Sequence, residues 1–231
     1  MLDVSRRELK YLISKQEMYR LKPRLSAILA EDMHSGQEGY RVRSLYFDTL
    51  FDSDFEDKVD GYDNRRKVRL RVYNSQDTIV KLELKEKSGA AQRKRSLLLT
   101  REEAERMARG DYLFLMERRE PLAQQLFPFL ETKCYRPKCI VEYDRVAYCR
   151  SENDIRVTFD QNLRATEANF NLFDDGLILY PVTHPNEVTL EVKYRGFLYS
   201  HVKKMLNQAD RMQVSNSKYC LARNITKRGR R

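Results

Sequence analysis

Five short segments of this chain alternate charged and apolar residues, and that alternation constrains its fold more than any other feature. They are Arg6-Arg7-Glu8-Leu9-Lys10, Lys67-Val68-Arg69-Leu70-Arg71, Lys81-Leu82-Glu83-Leu84-Lys85, Arg93-Lys94-Arg95 and Glu191-Val192-Lys193. In a β-strand, residues two apart share a face. Each segment therefore presents a charged row on one side and, where apolar residues alternate, an apolar row (Leu9, Val68, Leu70, Leu82, Leu84, Val192) on the other. An ordinary half-buried strand turns its polar row to water. Several such strands closed into a barrel would instead line an interior with Lys and Arg, which calls for a polyanion.

Charge supports the same direction. The 231 residues carry 44 Lys and Arg against 34 Asp and Glu, a net charge of +10, so an anionic partner is expected: phosphate compounds, nucleic acid or a membrane surface. Hydrophobic residues make up 41%, enough for a core. No apolar run approaches the roughly 18 residues of a membrane span, and Leu2-Asp-Val-Ser-Arg-Arg7 is not an apolar signal region. The expectation is a cytoplasmic protein. The four cysteines (Cys134, Cys139, Cys149, Cys220) form no Cys-x-x-Cys pair and have no histidine at a ligand spacing. They read as reduced, mostly buried thiols. The scattered His34, His184 and His201 give little support to histidine catalysis.

Strands are expected at 6–13, 42–47, 66–73, 78–87, 92–99, 138–149, 154–162 and 187–194, with turns at 36–39, 74–77 and 88–91. Ser14-Lys-Gln-Glu17 and Thr100-Arg-Glu-Glu103 read as capping boxes opening helices. Pro23 falls inside the first and is expected to kink it. Further helices are expected over 111–131, 197–212 and 216–226, while 48–64 reads as acidic and irregular. The successive strands form a meander, hence antiparallel pairing. The expectation is one α+β domain over 1–226: a closed antiparallel β tunnel of about eight strands with helices packed outside. Residues 227–231 form a basic tail.

The strand residues expected on the charged face are Arg6, Glu8 and Lys10; Arg43; Lys67, Arg69 and Arg71; Lys81, Glu83 and Lys85; Arg93 and Arg95; Arg156; and Glu191 and Lys193. Arg145 and Lys218 join them from strand and helix edges. Such a surface stays buried only with counter-ions. A triphosphate chain supplies negative oxygens in a line. Arg grips them with a planar fork and Lys as a point charge. Glu191 and Glu8 suit a divalent ion, since Mg²⁺ or Mn²⁺ takes one or two carboxylates with phosphate oxygens and waters. Glu83 reads equally as an ion-pair partner of neighbouring lysines. Phosphoryl transfer needs alignment and charge neutralisation more than a protein nucleophile. Tyr46, Tyr73, Tyr143 and Tyr148 read as packing residues, and Ser217 as the cap of the last helix.

Eight motifs then carry a resemblance, in order along nearly the whole chain: Arg6-Arg-Glu-Leu-Lys-Tyr11, Arg43-Ser-Leu-Tyr-Phe-Asp48, Asn64-Arg-Arg-Lys-Val-Arg-Leu-Arg-Val-Tyr73, Leu82-Glu-Leu-Lys85, Tyr143-Asp-Arg-Val-Ala-Tyr148, Arg156-Val-Thr-Phe-Asp160, Leu190-Glu-Val-Lys-Tyr194 and Ser217-Lys-Tyr219. The chain resembles the catalytic domain of the vacuolar transporter chaperone (VTC) family, a branch of the CYTH-like triphosphate tunnel metalloenzymes. The resemblance implies a closed β tunnel, polyphosphate synthesis from ATP, and Mn²⁺ or Mg²⁺ as cofactor. It implies Arg69, Arg71, Lys85, Lys193 and Lys218 as catalytic residues. Lys10, Lys81, Arg93, Lys94, Arg145, Arg156 and Ser217 would bind substrate, and Glu191 with Glu8 the metal. Arg6 stands where relatives commonly have a carboxylate, which favours synthesis over two-metal hydrolysis. ATP and polyphosphate are the expected partners, nucleic acid is not, and export of product would need a membrane protein. Two other readings stay open: a triphosphatase on the same scaffold, and a non-catalytic polyphosphate-binding module.

Overall fold

The computed structural model describes residues 6–35, 39–89 and 91–228. In chain order the elements are β1 (Arg6–Ser14), α1 (Lys15–Ser26), β2 (Ala30–Glu31), β3 (Tyr40–Asp48), α2 (Ser53–Val59), β4 (Arg65–Val72), β5 (Ile79–Ser88) and β6 (Ala91–Thr100). There follow α3 (Arg101–Ala108), α4 (Pro121–Thr132), β7 (Arg136–Arg150), β8 (Ile155–Thr166), β9 (Tyr180–Pro181), β10 (Glu187–Arg195), α5 (Ser200–Asn207), β11 (Met212–Gln213) and α6 (Lys218–Arg228). Of the turn expected at 36–39, residues 36–38 lie outside the described residues. So do Ala90 of the turn at 88–91, residues 229–231 of the basic tail, and the Arg6 side chain.

The chain divides into two compact units. The first comprises 1–41, 143–163 and 183–217, and its strands pair in the order β11-β1-β10-β8-β7. The apolar rows of β1, β8 and β10 (Tyr11, Ile13, Val157, Phe159, Val188, Leu190, Val192) are buried in one cluster with Met18, Leu21 and Leu25 of α1 and Val202, Met205 and Leu206 of α5. Ser14 caps α1 by accepting from the Glu17 backbone N–H, and the helix runs on past Pro23 to Ser26.

The second unit comprises 42–142, 164–182 and 218–231, with the order β7-β3-β4-β5-β6. Its core gathers Leu45, Phe47, Val68, Leu70, Val72, Leu82, Leu84, Leu97 and Leu99 from the sheet with Ala104 and Met107 of α3 and Leu122, Leu126 and Leu130 of α4. The capping box of α3 is complete, because Thr100 and Glu103 each bond the other's backbone N–H.

Several expectations need correction. The antiparallel, helix-covered sheet is present, but the described residues hold eleven strands rather than about eight. Their pairing order is open, ending at β11 and β6, rather than closed. β2, β9 and β11 are two-residue pairings too short to leave a pattern. The β6 edge carries Gln92, Arg93, Lys94 and Arg95, a charged edge of the kind that discourages further pairing. The helix expected over 111–131 is two pieces: a 3₁₀ turn at Leu113–Met116, then α4, which begins with Pro121 at its first position. The segment read as irregular contains α2.

Candidate phosphate-binding and metal site

In the second unit, the register of β4, β5 and β6 sets three rows on one face. Lys67 lies opposite Lys85 and Lys85 opposite Lys94; Arg69 lies opposite Glu83 and Glu83 opposite Ser96; Arg71 lies opposite Lys81. Like charges directly opposite one another destabilise a sheet. The compensating group is Glu83, only 2% exposed. It accepts from Arg69 Nε at 2.7 Å, pairs with Lys94 Nζ at 2.5 Å, and lies 3.8 Å from Arg71 Nη1. Burial alone would raise the Glu83 pKa. The cations Arg69, Arg71 and Lys94 outweigh that and hold its carboxyl well below the usual carboxylate range. Glu83 is thus the hub of an ion-pair network, with Arg69, Arg71 and Lys94 as its partners rather than the expected Lys81 or Lys85.

Arg69 also donates to the Tyr46 hydroxyl at 2.9 Å, and Arg71 to Ser44 Oγ at 3.2 Å. Tyr46 faces Arg69 across the β3–β4 pairing and stacks on Tyr219 at 5.2 Å, so it supports the charged face as well as packing. Lys81 is exposed, its Nζ 5.2 Å from the centre of the Tyr73 ring. Tyr73 is itself 39% exposed and is no core residue. Lys218 opens α6, with buried Ser217 immediately before it.

Three arginines sit elsewhere than expected. The β5–β6 register puts Arg95 opposite Leu84 and Arg93 opposite Glu86, so both face away from Lys94 and Glu83. Arg95 bonds Glu86 at 2.8 Å and Gln125 at 2.5 Å. In this strand Lys94, not Arg93 or Arg95, joins the charged face. Arg43 lies opposite Val72 on the apolar side. It is buried and donates to Glu142 at 2.6 Å and to the Leu172 and Asp174 carbonyls at 2.9 and 2.7 Å. Its role there is to anchor the 164–182 segment.

In the first unit, β1 and β10 bring two carboxylates and two lysines together. The register sets Glu8 opposite Lys193 and Lys10 opposite Glu191. Lys10 Nζ lies 3.0 Å from Glu8 and 3.4 Å from Glu191 and donates to the Asn216 carbonyl at 3.4 Å. Lys193 pairs with Glu191 and lies 3.7 Å from Glu8. Burial pulls the Lys10 pKa down, but Glu191 and Glu8 more than reverse this and hold it above the ordinary lysine value. Further along the same face, Arg145 makes a two-pronged bond to Asp160 at 2.6 and 2.8 Å and covers the Tyr143 ring. Arg156 lies opposite Lys193 and donates to Asp32 at 2.6 Å and Tyr40 at 2.9 Å. Gly39 explains part of this placement: its φ is +85°, and a Cβ there would stand 2.2 Å from the Arg145 carbonyl oxygen.

The anchors Asp32, Glu142 and Asp160 were not singled out from sequence. A signal existed for Asp160, since Arg156, Thr158 and Asp160 alternate along β8 and so share a face. Asp32 is 124 residues from Arg156 and Glu142 is 99 from Arg43, and neither left a local signal.

Among the described residues no group of three or more His, Cys, Asp or Glu side chains could hold a metal. Glu8 and Glu191 converge, each within ion-pair reach of Lys10. That donor set fits a hard divalent ion taking its other ligands from phosphate oxygens and water, as Mg²⁺ commonly does. No described helix is long and apolar enough to cross a membrane.

The model of the VTC domain matches residues 5–227. Among solved structures, a candidate adenylate cyclase from Bacillus halodurans is 15% identical, with 93% of each chain covered and a TM-score of 0.53. A protein from Pyrococcus horikoshii OT3 is 10% identical, covering 96% of this chain and 99% of its own, with a TM-score of 0.45. Comparison with curated proteins gave no match. At 15% identity the first of these likenesses speaks for the fold alone, whereas the family match spans nearly the whole sequence, including every segment of both charged clusters. The chain belongs to the VTC domain family.

Proposed function

We propose that this chain is a metal-dependent polyphosphate polymerase of the triphosphate tunnel type, moving the γ-phosphate of ATP onto a growing phosphate chain. One observation carries the reading: on each unit, Lys and Arg side chains crowd onto a single sheet face around buried carboxylates. In the second unit Lys67, Lys85 and Lys94 stand directly opposite one another. A polyanion bound along that row would add to the neutralisation that Glu83 gives at Lys94. Arg69, Arg71, Lys85 and Lys218 of the second unit, and Lys193 of the first, are the residues we assign to charge neutralisation in the transfer. Lys10, Lys81, Lys94, Arg145, Arg156 and Ser217 position the rest of the phosphate chain. Arg93 faces the other way and is left out of this set.

The terminal oxygen of the growing chain attacks the γ-phosphorus in line, the bond to the β–γ bridging oxygen breaks, and ADP leaves with that oxygen. Glu191 and Glu8 would hold Mn²⁺ or Mg²⁺, which when bound supplies charge neutralisation and orientation of phosphate oxygens. The protein's own part is alignment and electrostatic stabilisation, the main demands of phosphoryl transfer.

Purified protein incubated with ATP and Mn²⁺ should yield ADP and long chains resolved on a gel. One finding favours hydrolysis as the second reading: Glu8 and Glu191 approach the same lysine, so two carboxylates are together after all. Free phosphate as the only product besides ADP would select it.

A further inference from the structure

One buried hydroxyl on the charged face of the first unit has no hydrogen-bond partner among the described residues. Thr158 sits in β8 between Val157 and Phe159, both core residues, so its own side chain is on the other face with Arg156 and Asp160. The register places Lys10, Glu191 and Thr158 in a single row across three strands. Thr158 is 2% exposed, and its Oγ1 makes no hydrogen bond among the described residues. Its neighbours are engaged: Lys10 with Glu8 and Glu191, Arg156 with Asp32 and Tyr40, Asp160 with Arg145.

A buried hydroxyl left without a partner is costly, and valine would fill the same space without that cost. Lys10, in the same row, attracts phosphate as a point charge with little directional preference. A hydroxyl donates one directed hydrogen bond. We propose that Thr158 is a further substrate-binding residue, whose hydroxyl donates to a non-bridging phosphate oxygen beside Lys10 and Glu191. This fixes the placement of one phosphate along the chain. The inference rests on the reading that the protein acts on triphosphates or longer phosphate chains.

The test compares Thr158→Val and Thr158→Ser with wild type in three measurements: thermal unfolding without ligand, tripolyphosphate affinity by calorimetry, and steady-state kinetics with ATP. The expected Thr158→Val protein unfolds at the wild-type temperature or above it. It binds tripolyphosphate about tenfold more weakly, the loss of one hydrogen bond to a charged group, and its KM for ATP rises. Thr158→Ser should recover most of that affinity. If Thr158→Val melts lower while binding tripolyphosphate as wild type does, the hydroxyl serves a buried water and the inference falls. Unchanged melting with unchanged affinity overturns it equally. In both cases wild-type binding leaves the functional reading standing. Failure of the wild-type protein itself to bind tripolyphosphate would remove that reading and the inference with it.

Discussion

Glu83 shows how single residues decide the behaviour of the charged face. Its carboxylate is almost wholly buried, and Arg69, Lys94 and Arg71 converge on it. Removing one partner of such a buried network leaves charges uncompensated, at a cost of about 3 kcal/mol. Glu83→Gln is therefore expected to lower the melting temperature by roughly 6–12 °C for a chain of this size. Tripolyphosphate should restore more of that loss in the variant than it adds to wild type, because it replaces the missing negative charge. The pH dependence follows from the direction of the shift. The folded-state pKa of Glu83 lies below its ordinary value of 4.5, so its stabilisation is complete above that value. It is lost as pH falls further below. Urea midpoints measured from pH 6 down to pH 3 should fall more steeply for wild type than for Glu83→Gln. Asp54 behaves in the opposite sense. Burial, then the neighbouring Asp48, pushes its pKa up to about 7, and it accepts a hydrogen bond from the Tyr135 hydroxyl at 2.8 Å. The cost of ionising it in the folded state grows as pH rises from about 4 to about 7, so Asp54→Asn should gain stability relative to wild type across that window. Urea midpoints at pH 5 and pH 8 check this, and a constant difference between the two proteins would contradict it.

At the scale of elements, register was what the sequence left undetermined. The period-2 alternation identified β1, β4, β5 and β10 and the charged rows they carry, because each has one unambiguous apolar row. In β6, three consecutive basic residues fit either face. Only pairing with β5 sends Lys94 toward Glu83 and Arg93 and Arg95 away from it. Arg43 was legible and misread. It alternates with Leu45 and Phe47, so periodicity already assigned it to the core side, and its charge alone suggested otherwise. The two-residue strands and the long-range anchors Asp32 and Glu142 depend on tertiary pairing and leave no local trace. Arg43 carries a prediction for the segment it holds. Arg43→Met removes the donors to the Leu172 and Asp174 carbonyls and leaves Glu142 with Arg164. Limited proteolysis should then cut within 167–179 several times faster than in wild type. Equal cleavage rates would show that apolar contacts of Leu172 and Phe173 suffice to hold the segment.

At the scale of the whole molecule, each unit has its own core and its own cluster of charged side chains, Lys10, Glu191 and Lys193 in one, Arg69, Arg71 and Lys85 in the other. If both sets serve one reaction, residues from the two units behave as parts of one device, and the effects of removing them do not add. Arg69→Ala and Glu191→Gln are each expected to reduce kcat/KM for ATP by about a hundredfold or more, the scale of lost transition-state stabilisation. The double variant should be little slower than the slower single one. Multiplying losses would argue for independent roles. The central claim, that the chain builds polyphosphate from ATP, is tested most directly by following the reaction with ATP and Mn²⁺ by ³¹P NMR. The account predicts growth of internal-phosphate signal in step with ADP, absent in Arg69→Ala and Glu191→Gln. A rise of orthophosphate in step with ADP, with no internal-phosphate signal, would contradict it.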